Sequence, residues 1–251
     1  MRVAAIYDIH ANLPALEAVL EDIRQARVNR IVVGGDIVPG PMPRETITCL
    51  REVGIPVQFV LGNGDREVLA RMRGTETEWY RSAAEQWRAP VRWNAEQLRA
   101  EDEELLASWP VTARLHIQGL GEVVFCHGTP RSDTEIFTRL TSEERLLPIF
   151  DGVKVSTVVC GHTHMQFDRM IGRIRVVNAG SVGMPFGEPG AYWLLLGPEV
   201  ELRRTNYDLV KAAELIRATK YPQAEDFATR NVLQPPSEKE MLEAFSRAEP
   251  K

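Results

Sequence analysis

The sequence has little of what characterises secreted, membrane-spanning or nucleic-acid-binding proteins. Its 251 residues include only three cysteines, an odd number without paired spacing, which argues against a disulfide framework and predicts a cytoplasmic protein. No apolar run approaches the ~20 residues that span a membrane, and the first residues enter a predicted strand without the layout of a signal peptide. The net charge of −5 leaves no general basic surface for nucleic acid.

The composition is that of an ordinary globular protein, with 44% hydrophobic and 26% charged residues and enough chain to bury a core. We interpret residues 1–251 as a single domain. In the first part of the chain, apolar runs alternate with segments of helical periodicity. The predicted elements are strands at 3–7, 31–33 and 57–61 and helices at 13–26 and 44–53. Strands that alternate with helices predict parallel pairing in an α/β sheet.

Residues 66–110 have a different character from the segments around them. They are polar, predicted to be helical, and hold four of the five tryptophans. We interpret this stretch as a helical insertion. Two roles are open: its aromatic residues anchor it to the domain, or it forms a cap over a functional site and helps select the substrate.

The rest of the chain returns to short apolar runs separated by turns. Two β-hairpins are predicted, one over 112–126 and one that turns near Gly172. The other predicted elements are a helix at 141–150, strands at 155–160, 191–196 and 199–204, and helices at 208–218 and 237–247. We expect the end of the chain, about twenty residues, to be loosely attached.

Polar side chains follow the predicted strands where each strand ends. They are Asp8 and His10 after the first strand, Asp36 after the second, Asn63 after the third, and His127, His162 and His164 after two later strands. In open α/β sheets, functional sites form at this carboxyl edge. Because Asp8 and His10 are two residues apart, we expect an extended backbone to turn both side chains the same way.

These seven side chains offer nitrogen and oxygen ligands and no thiolate. Such ligands suit manganese, iron, cobalt, nickel or zinc better than they suit a structural cysteine-type zinc site. Seven are too many for one tetrahedral ion and suit two ions that share a carboxylate. The fifth histidine, His116, lies inside a hairpin strand, and we interpret it as structural or exposed.

The order of these motifs carries a resemblance to a known family. Asp-x-His, Gly-Asp, Gly-Asn-x-Asp, His-Gly and Gly-His-x-His follow one another between residues 8 and 164, and this order resembles the calcineurin-like metallophosphoesterase superfamily. The segment from Asn178 to Pro185 is similar to its small prokaryotic phosphodiesterase branch, which includes diadenosine-tetraphosphatase-like proteins. The resemblance implies a four-layer α/β/β/α sandwich, here with a helical insertion.

The resemblance also implies how the ligands are shared between two divalent ions. One ion would be held by Asp8, His10, Asp36 and His164, and the other by Asp36, Asn63, His127 and His162. Manganese is the first choice, with iron, cobalt, nickel or zinc as alternatives. Two such ions can bridge a hydroxide nucleophile and neutralise a phosphoryl oxygen, so Asp36, Asn63 and His127 are also predicted to be catalytic. Asp65, predicted with them, either orients a neighbouring site residue or caps the next helix.

The sequence departs from the family pattern at Gly64, where relatives often carry a histidine that can protonate the leaving group. Glycine has no acid–base side chain, which favours substrates with good leaving groups and a phosphodiesterase over a phosphomonoesterase or protein phosphatase. Arg66 either contacts phosphate or is a solvated surface residue. Ser181 is not predicted to be a nucleophile, because no base or Gly-x-Ser-x-Gly elbow accompanies it.

The predicted function is therefore a two-metal hydrolase of phosphoric esters or anhydrides. The alternatives are a phosphomonoesterase or protein phosphatase, and a non-catalytic interaction module, since some relatives keep the fold after losing metal ligands. The expected partner is a small phosphoester, with nucleotides as candidates. No obligate nucleic-acid or membrane partner is expected, and a homo-oligomer is left open.

Overall fold

Two five-stranded sheets pack face to face in the computed structural model, which describes residues 1–248. Helices cover the outer face of each sheet, which gives the predicted four-layer α/β/β/α sandwich. None of the helices within 1–248 is long and apolar enough to cross a membrane.

The first sheet has the strand order β10-β9-β1-β2-β3. Its strands are β1 (Val3–Ile6), β2 (Arg30–Val33), β3 (Val57–Phe59), β9 (Ala191–Leu196) and β10 (Val200–Thr205). The first three are parallel, as predicted, whereas β9 runs antiparallel to β1 and β10 runs antiparallel to β9. The connecting helices are α1 (Leu13–Gln25) and α2 (Pro43–Glu52). The Asn12 side chain caps α1 by accepting from the Ala15 N–H.

The second sheet has the order β4-β5-β6-β8-β7. Its strands are β4 (Thr112–Ile117), β5 (Gly121–Cys126), β6 (Thr157–Cys160), β7 (Phe167–Ile171) and β8 (Ile174–Asn178), and helix α7 (Glu143–Phe150) covers its outer face. Both predicted hairpins are confirmed, since β4 pairs antiparallel with β5 and β7 pairs antiparallel with β8. The central strands β5, β6 and β8 are parallel, so the two sheets each bring parallel strand ends to the same region.

The alternation of side chains along β1 shows how the layers are joined. Val3 and Ala5 face the second sheet and pack with Phe125 and Val159, whereas Ala4 and Ile6 face the helices. All four β1 residues are completely buried. A strand buried on both faces is apolar throughout, which is why the sequence shows a continuous run there.

Four helices lie between β3 and β4: α3 (Asn63–Met72), α4 (Glu78–Ser82), α5 (Glu85–Gln97) and α6 (Ala100–Ala107). The first begins before residue 66, because the Asp65 carboxylate accepts from the Gly62 N–H and caps the first turn at the end of β3. Trp109 is buried and stacks on Phe59 with ring centroids 4.8 Å apart, so it anchors the insertion. The division of the chain into domains stays a prediction.

The carboxyl-terminal segment contains more helix than the sequence pattern predicted. Its elements are α8 (Leu209–Arg217), α9 (Ala224–Phe227), a π-helical stretch (Ala228–Leu233) and α10 (Glu238–Phe245). The two middle elements were not predicted, because each is too short to display a helical period. They pack their apolar residues against α8 in a separate small core.

The predicted loose end makes a few contacts with the rest of the chain in the residues that the structure describes, and no residue of α10 is buried. Phe245 in α10 lies against Phe186 with ring centroids 6.0 Å apart. Glu238 accepts a hydrogen bond from Arg139 at 2.7 Å, and the Pro236 carbonyl accepts from the Gly187 N–H at 2.8 Å. These contacts join α10 and the residue Pro236 before it to Arg139 and to the loop that precedes β9. Residues 249–251, which also belong to the predicted loose end, lie outside the described residues.

Candidate metal centre

The loops that follow β1, β2, β3, β5 and β6 meet at one place between the two sheets. They carry all seven predicted ligands: Asp8, His10, Asp36, Asn63, His127, His162 and His164. Backbone hydrogen bonds join these loops to one another. The His10 N–H donates to the Asp36 carbonyl at 2.9 Å, and the Gly161 N–H donates to the His127 carbonyl at 2.9 Å. The structure therefore brings the seven side chains together, while their role as metal ligands stays a prediction.

The backbone at most of these positions is left-handed, not extended. Of the seven non-glycine residues with positive φ in residues 1–248, five are predicted ligands, namely Asp8, His10, Asp36, His162 and His164, with φ between 48° and 65°. Our expectation that an extended backbone aligns Asp8 with His10 is therefore wrong. Each residue instead turns sharply out of its strand, at a conformational cost typical of functional sites.

Each of the two predicted carboxylate ligands has one oxygen fixed by a backbone N–H. The Asp8 Oδ2 accepts from the His162 N–H at 2.8 Å, and the Asp36 Oδ1 accepts from the Gly64 N–H at 2.7 Å. The remaining oxygens, Asp8 Oδ1 and Asp36 Oδ2, face the histidines. Both carboxylates are buried, so these hydrogen bonds hold them in place for a further ligand.

The first group of ligand atoms consists of Asp8, His10 and His164. The Asp8 Oδ1 lies 3.4 Å from the His164 Nε2 and 3.9 Å from the His10 Nε2. The His10 Nδ1 lies 3.2 Å from the Pro39 carbonyl, and the His164 Nδ1 lies 2.7 Å from the Met184 carbonyl. Since a carbonyl can only accept, each Nδ1 carries a proton, which leaves Nε2 as the atom of each ring that binds a metal ion when the ring is neutral.

The second group consists of Asp8, Asp36 and His127. The His127 Nε2 lies 3.6 Å from the Asp36 Oδ2 and 3.9 Å from the Asp8 Oδ1, and its Nδ1 lies 2.9 Å from the Gly34 carbonyl. The Asn63 amide lies beside this group, 3.0 Å from the His127 Nε2. When the oxygen and nitrogen of the Asn63 amide exchange places, the nitrogen donates to both the His127 Nε2 and the His162 Nδ1 at 3.0 Å.

Both carboxylates lie between the two groups of histidines. The Asp8 Oδ1 belongs to both groups. The Asp36 Oδ2 is 3.9 Å from the His10 Nε2 and 3.6 Å from the His127 Nε2. The geometry therefore allows either Asp8 or Asp36 to be the carboxylate that the two ions share.

Burial keeps two of the histidines neutral. Burial lowers the pKa of His10 to about 4, and the neighbouring His164 acts in the same direction. Burial, with His127, likewise lowers the pKa of His162 to about 4. Neutral imidazole is the form that binds metal ions, so neither ring has to lose a proton at physiological pH.

Asp8 and His127 each stabilise the charged form of the other. Burial alone would raise the pKa of Asp8, but the His164 and His127 rings outweigh it and hold this pKa well below its usual range. Burial alone would lower the pKa of His127, but the Asp36 and Asp8 carboxylates outweigh it and raise this pKa. A metal ion that binds His127 therefore competes with a proton.

The arrangement fits a divalent cation. The Asp8 Oδ1 is buried and has no hydrogen-bond partner among residues 1–248, which is costly for a charged oxygen. The His10 Nε2 and His164 Nε2 face each other at 3.2 Å, and both face the Asp8 Oδ1. A cation between these three atoms would satisfy all of them, and nitrogen with carboxylate oxygen is the donor set of transition metals.

The remaining predicted residues take supporting positions or lie elsewhere. The Asp65 Oδ1 accepts from the Ile37 and Val38 N–H groups at 2.8 and 3.0 Å, which holds the loop after Asp36, and its Oδ2 caps α3, while its catalytic role stays a prediction. Burial, followed by the nearby Asp36, raises its pKa to about 7. His116 is exposed on β4, away from the group.

Arg66 and Ser181 are both held by neighbouring residues. The Arg66 side chain is 38% exposed and donates to Asp133 at 2.8 Å, so it is partnered at the rim of the site. The Ser181 hydroxyl is buried, donates to the Asp8 carbonyl at 2.7 Å and accepts from the Met184 N–H at 2.8 Å. This agrees with the expectation that Ser181 is not a nucleophile.

Two residues near the site were not assigned a role from the sequence. Asn178 ends β8, and its amide donates to the Gly161 carbonyl at 2.7 Å, which holds the loop that carries His162 and His164. Its position after an apolar strand was the available signal. Phe186 stacks on the His164 ring at 5.2 Å with an interplanar angle of 19°, and no sequence pattern distinguished it.

Comparison with known proteins identifies the family. A model of the calcineurin-like phosphoesterase superfamily domain matches residues 1–197. The chain belongs to this superfamily. The match covers every strand end that carries a predicted ligand, and it stops before α8. Membership of the calcineurin-like phosphoesterases agrees with the two buried groups of candidate metal ligands.

Similar proteins extend along most of the chain. The uncharacterized protein MJ0912 of Methanocaldococcus jannaschii is 30% identical over 244 residues, which cover 88% of this chain and 94% of that protein. A metallophosphoesterase from Sphaerobacter thermophilus has a TM-score of 0.71 and 29% identity, over 91% of this chain and 98% of that one. The hypothetical protein PH1004 from Pyrococcus horikoshii OT3 shares the fold, with a TM-score of 0.79 and 22% identity over 94% and 99% of the two chains.

Proposed function

We propose that this calcineurin-like phosphoesterase is a metal-dependent phosphodiesterase that uses two divalent cations. One observation carries the proposal. The buried Asp8 Oδ1, without a hydrogen-bond partner among the described residues, lies within 4 Å of the Nε2 atoms of His10, His127 and His164. Residues that served only to stabilise the fold would provide a donor for this oxygen.

The chain's residues divide the work between holding cations and positioning the ester. Asp8, His10 and His164 would hold one cation, Asn63, His127 and His162 would hold the second, and Asp36 would be shared between the two. When bound, two cations supply a water-derived nucleophile near neutral pH and neutralise charge on the phosphoryl oxygens. Arg66 lines the same cavity and is oriented by Asp133, so its guanidinium can contact a phosphate oxygen.

The absence of an acid at position 64 supports a diester over a monoester. All histidines other than the exposed His116 belong to the group of predicted ligands. Among residues 1–248, no histidine is therefore left to protonate a poor leaving group, which favours esters of acidic alcohols and anhydrides. Small phosphoesters, with nucleotides among them, are the proposed substrates, and manganese is the proposed metal.

The test is a comparison of substrates and metals on the purified protein. Hydrolysis of bis(4-nitrophenyl) phosphate and of 4-nitrophenyl phosphate is measured after chelation and after addition of manganese, cobalt, nickel or zinc. We expect activity on the diester to disappear with chelation and to return with manganese. Full activity in a sample that elemental analysis shows to be metal-free would contradict the mechanism. A protein that binds metal but hydrolyses neither ester would favour the interaction module.

A further inference from the structure

The predicted metal ligands share a cavity with exposed tryptophans. The cavity has a volume of about 600 Å³, within the range of small-molecule sites. His10, Asp36 and Asn63 line it, and so do Trp79 and Trp87. A phosphoester that enters the cavity therefore encounters both the candidate ligands and the two indole rings.

Two segments from distant parts of the chain build the walls of this cavity. Trp79 lies on α4 and Trp87 on α5, whereas Tyr221 and Phe227 come from the carboxyl-terminal segment. A hydrogen bond of 2.8 Å from the Gln223 side chain to the Gln86 carbonyl joins the segments. The Trp93 and Tyr221 rings also meet edge to face, 5.4 Å apart. The cavity is thus enclosed by a specific contact between the helical insertion and the carboxyl-terminal segment.

The two tryptophans of the cavity differ from the tryptophan that anchors the insertion. Trp79 is 46% exposed and Trp87 is 55% exposed, whereas Trp109 is only 6% exposed against Phe59. Exposed indole surface in a cavity gains free energy when another flat apolar group covers it. The first two residues therefore have a free surface that can select a ligand, and Trp109 does not.

The charges of the cavity do not favour a second phosphate group. Its two arginines are both paired, Arg66 with Asp133 at 2.8 Å and Arg230 with Asp226 at 3.2 Å. Glu67 and Glu78 also line the cavity. Beyond the candidate metal centre, the carboxylates thus offset the guanidinium groups, and an uncharged group of the substrate is the better match.

We infer that the cavity selects phosphoesters that carry a planar aromatic group, a nucleobase or a simple aryl ring, which packs on Trp79 and Trp87. The inference rests on the proposed function, because the phosphate would be held at the candidate metal centre. The match to the superfamily ends at residue 197, so the wall formed by Tyr221 and Phe227 lies outside the matched part of the chain.

Binding of matched ligand pairs tests the inference by affinity and not by rate, and the phosphonate pair cannot be hydrolysed at a P–O–C bond. Adenosine 5′-monophosphate and ribose 5-phosphate differ only in the base, and phenylphosphonate and methylphosphonate differ only in the ring. Calorimetric titrations use the full chain in excess manganese. We expect the aromatic member of at least one pair to bind about tenfold more tightly or better, because stacking of one base on an aromatic side chain contributes ~1–3 kcal/mol. The nucleotide pair reports on a nucleobase, and the phosphonate pair reports on a simple aryl ring.

Variants of Trp79 and Trp87 test whether these two residues cause the preference for aromatic ligands. In Trp79→Ala and Trp87→Ala, the aromatic ligand is expected to lose affinity by roughly tenfold, while its partner without the ring keeps its affinity. Leu215→Ala on α8 is the control, because Leu215 is 46% exposed, like Trp79, and does not line the cavity. Melting temperatures verify that the variants are folded.

The outcomes separate this inference from the proposed activity. Equal affinity within both ligand pairs in the unaltered protein would overturn the inference, as would a preference that persists undiminished in both tryptophan variants. A preference that depends on the tryptophans, in a protein that hydrolyses no diester, would overturn the proposed activity and leave the selectivity standing. Diester hydrolysis without any preference would overturn the inference alone.

Discussion

The backbone N–H of Gly64 donates to the Asp36 Oδ1 over 2.7 Å, and this approach is close enough to exclude a side chain. A Cβ atom at position 64 would lie 2.6 Å from the Pro39 Cγ and 3.0 Å from the Asp36 Oδ1. The φ angle of Gly64 is not positive. Glycine is therefore required here by space and not by backbone conformation.

The first prediction is that Gly64→Ala weakens metal binding. The added methyl group displaces Asp36, and residues that orient metal ligands typically change metal affinity by about 10–100-fold. Elemental analysis after dialysis against a weak chelator measures the effect. The matched control is the double variant Gly64→Ala with Pro39→Ala, which removes the closest contact and should recover part of the affinity. Unchanged metal content in the single variant would show that Asp36 tolerates the methyl group.

The second prediction compares the two carboxylates. Asp36→Asn and Asp8→Asn each remove one charge from a group that both sets of histidines approach, so each should reduce metal content and turnover well below His116→Ala. If only Asp36 is shared between the ions, the Asp36→Asn variant should lose both ions and the Asp8→Asn variant should lose one ion. The number of ions per chain, from elemental analysis, distinguishes the two. Full occupancy in both variants would contradict the ligand assignment.

The third prediction is that metal raises thermal stability. A ligand at a hundred times its Kd stabilises the native state by about 2.7 kcal/mol, or on the order of 5–10 °C in Tm for a chain of this length. The same titration on His164→Ala should give a smaller increase, since this ring is the nearest to the Asp8 Oδ1 at 3.4 Å. His116→Ala should respond like the unaltered protein. A Tm that does not respond to manganese would contradict a metal centre at this place.

The candidate metal centre was visible in the sequence because each ligand follows an apolar strand, and the topology of parallel strands brings such positions together. The backbone conformation was not visible. Asp8 and His10 leave β1 with φ angles of 52° and 48°, which the hydrogen bonds between neighbouring loops impose. Positive φ is uncommon outside glycine, even though aspartate and histidine adopt it more often than most residues, so propensity alone does not predict it at Asp8 and His10.

The cavity walls were also hidden from the sequence. Trp79 and Trp87 could be identified as part of a helical insertion, but their exposure depends on how that insertion packs. Tyr221 and Phe227 are more than 130 residues away from these tryptophans along the chain. Tyr221 precedes α9 and Phe227 ends it, and this helix is too short to show a helical period. Such long-range pairing follows from the tertiary fold and leaves no local pattern.

The fourth prediction concerns Ser181. Its buried hydroxyl connects the Asp8 carbonyl to the Met184 N–H, so Ser181→Ala should lose about 1–3 kcal/mol of unfolding free energy. Turnover at saturating manganese should be nearly unchanged, because the hydroxyl supports the loop and does not react. Ser246→Ala at the exposed end of α10 is the control and should change stability little. Loss of turnover in a folded, fully metallated Ser181→Ala would reopen a nucleophilic role.

The fifth prediction is a steep dependence of rate on the leaving group. A positioned general acid contributes ~10²–10⁴-fold, and most when the leaving alcohol is weakly acidic. Gly64 provides none, and the four histidines near it are the predicted ligands. Across a series of aryl methyl phosphodiesters, kcat/KM should therefore fall sharply as the pKa of the departing phenol rises. Alkyl monoesters should be hydrolysed far more slowly than any member of the series.

A histidine at position 64 should flatten that dependence if it can be accommodated. Because a side chain there meets Pro39, the variant to compare is Gly64→His with Pro39→Ala, and its matched control is Gly64→Ala with Pro39→Ala. Both place a Cβ atom near Asp36, and only the first carries an imidazole. The imidazole should help poor leaving groups more than good ones. If the two variants hold the same amount of metal and show the same slope, position 64 is not where an acid reaches the leaving oxygen.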